Sequence, residues 1–265
     1  MHQPVRNVER KIWREDALSP GLRAIPEETA IALTYNGGTY AVMMATPRDL
    51  ADFALGFSLS EGIVQSPADI GSLDIVDLDD GIELRMWLRQ SRADRLNERR
   101  RHIAGPTGCG ICGIDSIAEA VRPAAIVAPG GAFSPREIMT AMQGITALQA
   151  INIETRAVHA AAFWAPTRGI VALREDVGRH NALDKVIGAL TRAGIDCGTG
   201  YLVITSRASY EMVQKAATVG IALLAAVSAP TALAIRLALE TQLTLVGFAR
   251  AHRHVVYANP QRLLA

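Results

Sequence analysis

Between Lys215 and Arg236 the chain runs for twenty residues without a charge, Ala216 to Ile235. A stretch of that length either crosses a membrane or is buried on every side. Ser228-Ala229-Pro230-Thr231 divides it, and Gly220 weakens its first half. The halves then have the lengths of a buried strand, Ala222 to Val227, and an Ala/Leu-rich helix whose first turn lies near Pro230. A protein built this way needs a core large enough to take both. With 265 residues, 49% of them hydrophobic, the chain is long enough to supply one.

The neighbouring sequence follows the same rhythm. Ser134 to Leu148 reads as a helix, with Ser134 as N-cap, Pro135 at the first helical position and Glu137 two residues later. Strands are expected near His159–Trp164 and Ile170–Arg174, a helix over 182–193, then strand 201–205, helix 210–219, strand 222–227, helix 231–240 and strands 243–248 and 254–257. Such alternation predicts a layered α/β unit. The N-terminal half is richer in hairpins. Thr29–Tyr35 and Tyr40–Ala45 flank Asn36-Gly37-Gly38, where Asn-Gly supplies the positive φ of a tight turn. A helix over 48–64 follows, and a second hairpin pairs 73–78 with 82–88 around Asp79-Asp80-Gly81. The expected division is a tail (1–24), a β-rich subdomain (25–125) and an α/β domain (126–265).

Charge excludes some functions. Lys and Arg number 27 against 26 Asp and Glu, so no global field favours nucleic acid. The local run Arg89, Arg92, Arg95, Arg99, Arg100, Arg101 reads as a solvated helix face, or else as a docking face for an acidic partner or a phosphate-bearing ligand. It has no interleaved aromatics for single-stranded nucleic acid. Residues 1–20 lack the apolar core of a signal peptide. Three cysteines argue against a disulfide scaffold and fit a reducing compartment, the cytoplasm.

Two of those cysteines stand in Gly105-Pro106-Thr107-Gly108-Cys109-Gly110-Ile111-Cys112-Gly113. The glycines let the thiols face one another, and a helix expected from about Asp115 would favour thiolate at its N-terminus. Zinc needs a further ligand pair, and none stands at finger spacing. A thioredoxin-type pair should open a helix after a strand. A dinucleotide fingerprint should follow a hydrophobic strand, whereas Arg99-Arg100-Arg101-His102 precedes this one. Scattered His and Asp could still complete a zinc site; a sulfur carrier holding a persulfide is the fourth reading, beside the plain one of two small buried residues.

A second dense stretch, Glu175-Asp176-Val177-Gly178-Arg179-His180-Asn181-Ala182-Leu183-Asp184-Lys185, places donors near a helix start. It suits either a pyrophosphate or catalytic contact, or a capped helix with solvated charges.

Taken together, Glu175–Lys185 and Cys109–Gly113 closely resemble the FdhD family, accessory sulfurtransferases required for active formate dehydrogenase. Leu55–Val64, Thr205–Ala216, Ser228–Ala234 and Val246–Arg250 ahead of Val256-Tyr257 resemble further family segments, so the similarity spans roughly Glu27 to Arg262. The resemblance implies a cytidine-deaminase-like α/β fold, homodimers, and persulfide sulfur received from a cysteine desulfurase. It implies transfer of that sulfur to the molybdenum of bis-molybdopterin guanine dinucleotide, carried as cargo with no tightly bound metal, for a formate dehydrogenase client. Cys109 falls on the family's persulfide position, with Cys112 as the assisting or alternative carrier. Phe248, Ala249, Arg250, Ala251, His252 and Arg253 fall on its cofactor contact, and Arg179, His180 and Asn181 are expected to help line the cleft. A non-catalytic chaperone for the same cofactor is the alternative. Deamination is rejected, since His102-Ile103-Ala104 and His159-Ala160-Ala161 lack the glutamate of H-x-E and Thr107-Gly108 replaces the proline of P-C-x-x-C. No nucleic-acid or membrane partner is expected. Cys197 reads as an incidental loop thiol.

Overall fold

The computed structural model describes residues 2–89, 124–129, 131–250 and 252–264. The expectations for the Cys109–Cys112 loop, the arginine run beyond Arg89, the helix after Asp115 and Ala251 lie outside the described residues.

A four-stranded sheet has the order β4-β3-β6-β5, formed by β3 (Thr29–Tyr35), β4 (Gly38–Ala45), β5 (Ile70–Leu78) and β6 (Gly81–Leu88). Both expected hairpins are present. Asn36 and Gly37 turn with φ of 49° and 78°, the twist that an antiparallel pair needs. Helix α1 (Leu50–Ser60) covers one face, packing Phe53, Ala54 and Phe57 against Ile31, Leu33, Leu84 and Met86. It stops short of the expected Val64 because Gly62 takes a left-handed φ of 66°.

The second sheet has six strands in the order β12-β11-β10-β9-β7-β8: β7 (His159–Ala165), β8 (Gly169–Asp176), β9 (Tyr201–Ile204), β10 (Leu223–Ala226), β11 (Thr244–Arg250) and β12 (Arg253–Ala258). β9, β10 and β11 run parallel, and β7 and β12 flank them antiparallel. Helix α2 (Pro135–Leu148) covers one face, with Ser134 accepting from Arg136 N as its cap. The other face takes α4 (Arg179–Arg192), α5 (Tyr210–Thr218) and α6 (Ala232–Glu240). Leu202 and Ile204 therefore enter one core while Tyr201 and Val203 enter the other, which is why these strands read as unbroken apolar runs. The uncharged stretch resolves into the end of α5, β10, a turn and the start of α6. Among the described residues no helix is long and apolar enough to cross a membrane.

Two features depart from the sequence reading. A short helix α3 (Ala150–Thr155) follows α2, and the buried Glu175 carboxylate accepts from the backbone N–H of both Ile151 and Asn152, at 2.8 Å each. Its cap comes from a strand 24 residues further along, so no local pattern announces it. Residues expected as a tail form a ribbon instead: β1 (Val5–Arg14) pairs antiparallel with β2 (Ala17–Pro26) across Glu15 and Asp16, both at positive φ.

The two sheets are joined where α1 crosses α4. A Cβ on Gly56 would stand 1.7 Å from Asp184 O, and one on Gly188 would stand 1.9 Å from Asp52 O. The helix backbones touch, and only glycine fits there. Charge reinforces the contact: Asp52 accepts from Arg174 Nε (2.8 Å) and Arg192 Nη1 (2.7 Å). Buried Lys215 reaches Asp184 at 3.0 Å and Glu61 at 2.8 Å. Burial pulls the Lys215 pKa down, but Asp184 and Glu61 more than offset this and hold it raised.

Candidate functional site

The dense stretch Glu175–Lys185 turns inward. Asp176 is wholly buried at the end of β8; its carboxylate accepts from Thr46 N (3.0 Å), Gly178 N (2.8 Å), Asn181 Nδ2 (3.0 Å) and Lys185 Nζ (2.6 Å). Lys185, equally buried, also donates to Thr46 O at 2.8 Å and lies over the Phe53 ring. Burial, working against the Asp176 charge that favours the ammonium, leaves the Lys185 pKa lowered. Asn181 gives its second amide hydrogen to Met44 O (2.9 Å). Neither sequence reading, ligand contact or solvated charges, describes Asp176, Asn181 and Lys185: together they bolt the loop before α1 to the start of α4. The Asn181 amide is committed within the protein and not directed into a cleft. Gly178, extended and held by Asp176, starts α4 at Arg179, three residues ahead of the expected Ala182.

With these side chains folded in, Arg179 and His180 remain on the outer side of that turn, at the edge where the parallel strands end. Loops leaving β8, β9 and β10 enter α4, α5 and α6 there, so three helix N-termini point to one edge. Backbone bonds stitch the loops together: Val227 N to Ile204 O (3.0 Å), Thr231 N to Ala208 O (3.0 Å) and Phe248 N to Ser228 O (3.2 Å). Open α/β sheets place ligands at such an edge, where helix dipoles and free N–H groups favour anions.

His180 Nε2 stands 2.6 Å from Glu211 Oε2 in the first turn of α5, close enough to pair charges although the ring N–H is not aligned as a hydrogen bond. The His180 contact lowers the Glu211 pKa. His159, the first residue of β7, joins them; burial, then Arg179 and His180, lower its pKa, so its neutral form is favoured. Sequence reading gave neither His159 nor Glu211 a role, and the only signal was their company in space. Among the described residues, the Arg179 Nε and Ser209 Oγ atoms are buried here without hydrogen-bond partners.

The C-terminal segment reaches the same edge. Gly247 sits where a Cβ would lie 2.9 Å from both Pro230 Cδ and Tyr257 Cε2, which lets the strand end approach the β10–α6 loop. Phe248 then adopts a left-handed φ of 49°, within a register shift between Gly247 and Arg250. A bulge of this kind re-aims a side chain, and the Phe248 ring is half-buried. Arg250, His252 and Arg253 are exposed, whereas Ala249 packs in the core. Along this edge Arg179 and His180 stand with Glu211 at the β8 side, exposed Arg207 follows β9, and exposed Arg250, His252 and Arg253 lie at the β11–β12 side, basic groups spread across the sheet and each suited to phosphate. Among the described residues no cluster of three or more His, Cys, Asp or Glu is arranged to hold a metal.

The sequence model of the FdhD/NarQ family matches residues 26–264. The chain belongs to the FdhD/NarQ family. Family relatives named sulfur carrier protein FdhD include one from Agrobacterium fabrum, 46% identical over 260 residues that cover 98% of this chain and 96% of that one. Another, from Cupriavidus necator, is 50% identical over 252 residues, 95% of this chain and 87% of its own. A crystal structure from Desulfotalea psychrophila, described as a formate dehydrogenase accessory protein, superposes with a TM-score of 0.76 at 23% identity and covers 98% and 99% of the two chains. That likeness establishes the shared fold.

Cys197 lies away from this edge. It opens a 3-10 turn before β9, at the opposite end of the sheet, and burial, then Asp196, raises its pKa to about 11. A thiol so protonated is a poor nucleophile. Alkylation at pH 8 is expected to spare Cys197 in the folded protein and label it after denaturation. Native labelling at the rate of a free thiol would contradict the assignment.

Proposed function

We propose that this protein is a persulfide-type sulfurtransferase. It takes sulfane sulfur from a cysteine desulfurase onto Cys109 and delivers it to molybdenum in bis-molybdopterin guanine dinucleotide, the cargo destined for a formate dehydrogenase. The observation that carries this reading is near-full-length identity of 46–50% to proteins named sulfur carriers, in a chain that has Cys109 and Cys112 in a glycine-rich loop. The Cys109 thiolate attacks the outer sulfur of the donor persulfide; a new S–S bond forms and the donor cysteine leaves as thiolate, with no net oxidation. Delivery as sulfide needs two electrons. Cys112 supplies them by attacking the inner sulfur: a Cys109–Cys112 disulfide forms and sulfide departs with the electron pair, after which a cellular thiol reduces the disulfide.

The edge of the six-stranded sheet supports the cargo half of the reading. A guanine dinucleotide carries a pyrophosphate, and either Arg179 beside the helix N-termini or Arg250, His252 and Arg253 at the β11–β12 side offers charge and donors for it. Two copies of the chain and a cytoplasmic setting belong to the same reading.

After incubation with an active desulfurase and cysteine, mass spectrometry is expected to find one or more added sulfur atoms on the Cys109–Cys112 peptide, removable by reductant. Cys109→Ala should abolish the adduct and formate dehydrogenase maturation together. Maturation that survives Cys109→Ala would favour a cofactor chaperone, and absence of the adduct in the unsubstituted protein would end the persulfide mechanism.

A further inference from the structure

The root of the β1–β2 ribbon folds over the short helix α3. Arg23 Nη2 donates to Thr155 O at 3.1 Å, and Glu27 N donates to Pro4 O at 2.9 Å to close the root itself. Between the ribbon, α3 and the loop before α1 a cavity of about 330 Å³ remains. Gln3, Val5 and Asn7 line it from the ribbon side, Arg48 from the loop, and Ile151 and Glu154 from α3. Its two charges are opposite and unpaired. The Arg48 guanidinium approaches only its neighbour Asp49, at 4.0 Å, beyond hydrogen-bond distance. Among the described residues the Glu154 carboxylate has no ion-pair or hydrogen-bond partner. A neighbouring cavity of about 400 Å³ supplies the contrast, since its Arg6 and Glu27 already pair at 2.9 Å.

Two adjacent residues of β8 hold the walls of this cavity. Glu175 accepts from Ile151 N and Asn152 N, which anchors the first turn of α3. Asp176 accepts from Thr46 N, and Thr46 O accepts from Arg48 N at 2.7 Å, which anchors the loop. The backbone positions of Arg48 and Glu154 are therefore set by the fold, and a ligand need not order them. An anion alone would sit against Arg48 with Glu154 repelling it, and a cation alone would meet the reverse. A small molecule carrying both charges satisfies both residues at once, through charge-assisted hydrogen bonds. The Gln3 and Asn7 amides stand beside those charges, and Val5 and Ile151 offer apolar surface for a short side chain.

We propose that this cavity binds a small free α-amino acid, its carboxylate on Arg48, its ammonium on Glu154 and a short aliphatic side chain against Val5 and Ile151. The root of the ribbon is then the wall that closes the site. The proposal uses none of the residues in the sulfur-transfer reading and stands or falls apart from it.

Isothermal titration of the full chain with L-alanine and L-valine tests it. Isovalerate and isobutylamine serve as controls, because they keep the valine skeleton but lack the ammonium and the carboxylate respectively. One amino acid is expected to bind per chain, and each half-charged analogue at least tenfold more weakly than L-valine. Arg48→Gln and Glu154→Gln should each weaken L-valine at least tenfold, as loss of a hydrogen bond to a charged group does. Asn7→Trp keeps both charges and should abolish binding by filling the cavity. Thermal unfolding of each variant, expected to match the unsubstituted protein, separates lost binding from lost folding. Absence of binding by either amino acid at millimolar concentration would overturn the proposal. Isovalerate binding as tightly as L-valine would overturn it as well, leaving an anion site, and unchanged binding in folded Asn7→Trp would place the ligand outside this cavity.

Discussion

Lys185→Met is expected to cost about 3–5 kcal/mol of folding stability, the usual loss when one member of a buried pair is removed. The substitution keeps much of the side-chain volume over the Phe53 ring but removes the ammonium from Asp176 Oδ2 and Thr46 O. Asp176 keeps three donors, yet its charge then has no counter-ion in a site without water contact. Urea unfolding of both proteins measures the loss. A change below about 1 kcal/mol, the net worth of a single ordinary hydrogen bond, would show that the pair does not hold the two sheets together. The consequence reaches the site, because the same carboxylate fixes Gly178 and hence the first turn that carries Arg179 and His180. Binding of guanosine diphosphate, a probe for the dinucleotide end of the cargo, should weaken along with stability.

Gly56→Ala should be as damaging, although it adds one methyl group. The new Cβ would meet the Asp184 carbonyl, and behind it Asp184 C at 2.6 Å and Gly188 N at 2.7 Å. These are backbone atoms of a second helix, so relief requires α1 and α4 to separate. That would stretch the Asp52–Arg192 and Lys215–Glu61 contacts on either side. Overpacking of side chains costs about 1–3 kcal/mol, and a backbone collision belongs at or above the top of that range. Gly144→Ala in α2 is the matched control. Its Cβ would meet only the mobile end of Ile170, at 3.3 Å, and alanine gains about 1 kcal/mol of helix propensity over glycine. Opposite signs for the two substitutions in thermal unfolding are expected; equal effects would remove the helix crossing as the cause.

The glycines show where sequence reading stops. Gly56 and Gly144 both sit inside helical patterns, and nothing local separates a glycine that admits another backbone from one that merely weakens a helix. The ribbon escaped notice for a related reason. Strands exposed on both faces have no apolar alternation to display, and Glu15-Asp16 lacks the Asn-Gly chemistry that announced the β3–β4 turn. α3 was silent because Glu175, its cap, arrives from another strand.

What the residue order determined by itself was whatever neighbours in the chain decide. The hairpin at Asn36-Gly37, the Ser134–Pro135 helix start, the split of Ala216–Ile235 into strand and helix, and the family motifs were all legible, because turn angles, caps and hydrophobic period act within a few residues. Tertiary structure alone decided which charges of Glu175–Lys185 serve the architecture and which face outward. Asp176 and Lys185 find their partner Thr46 some 130 residues away. Burial of a charge is tolerated only where such a partner waits, and a partner brought from another sheet leaves no trace in the local sequence.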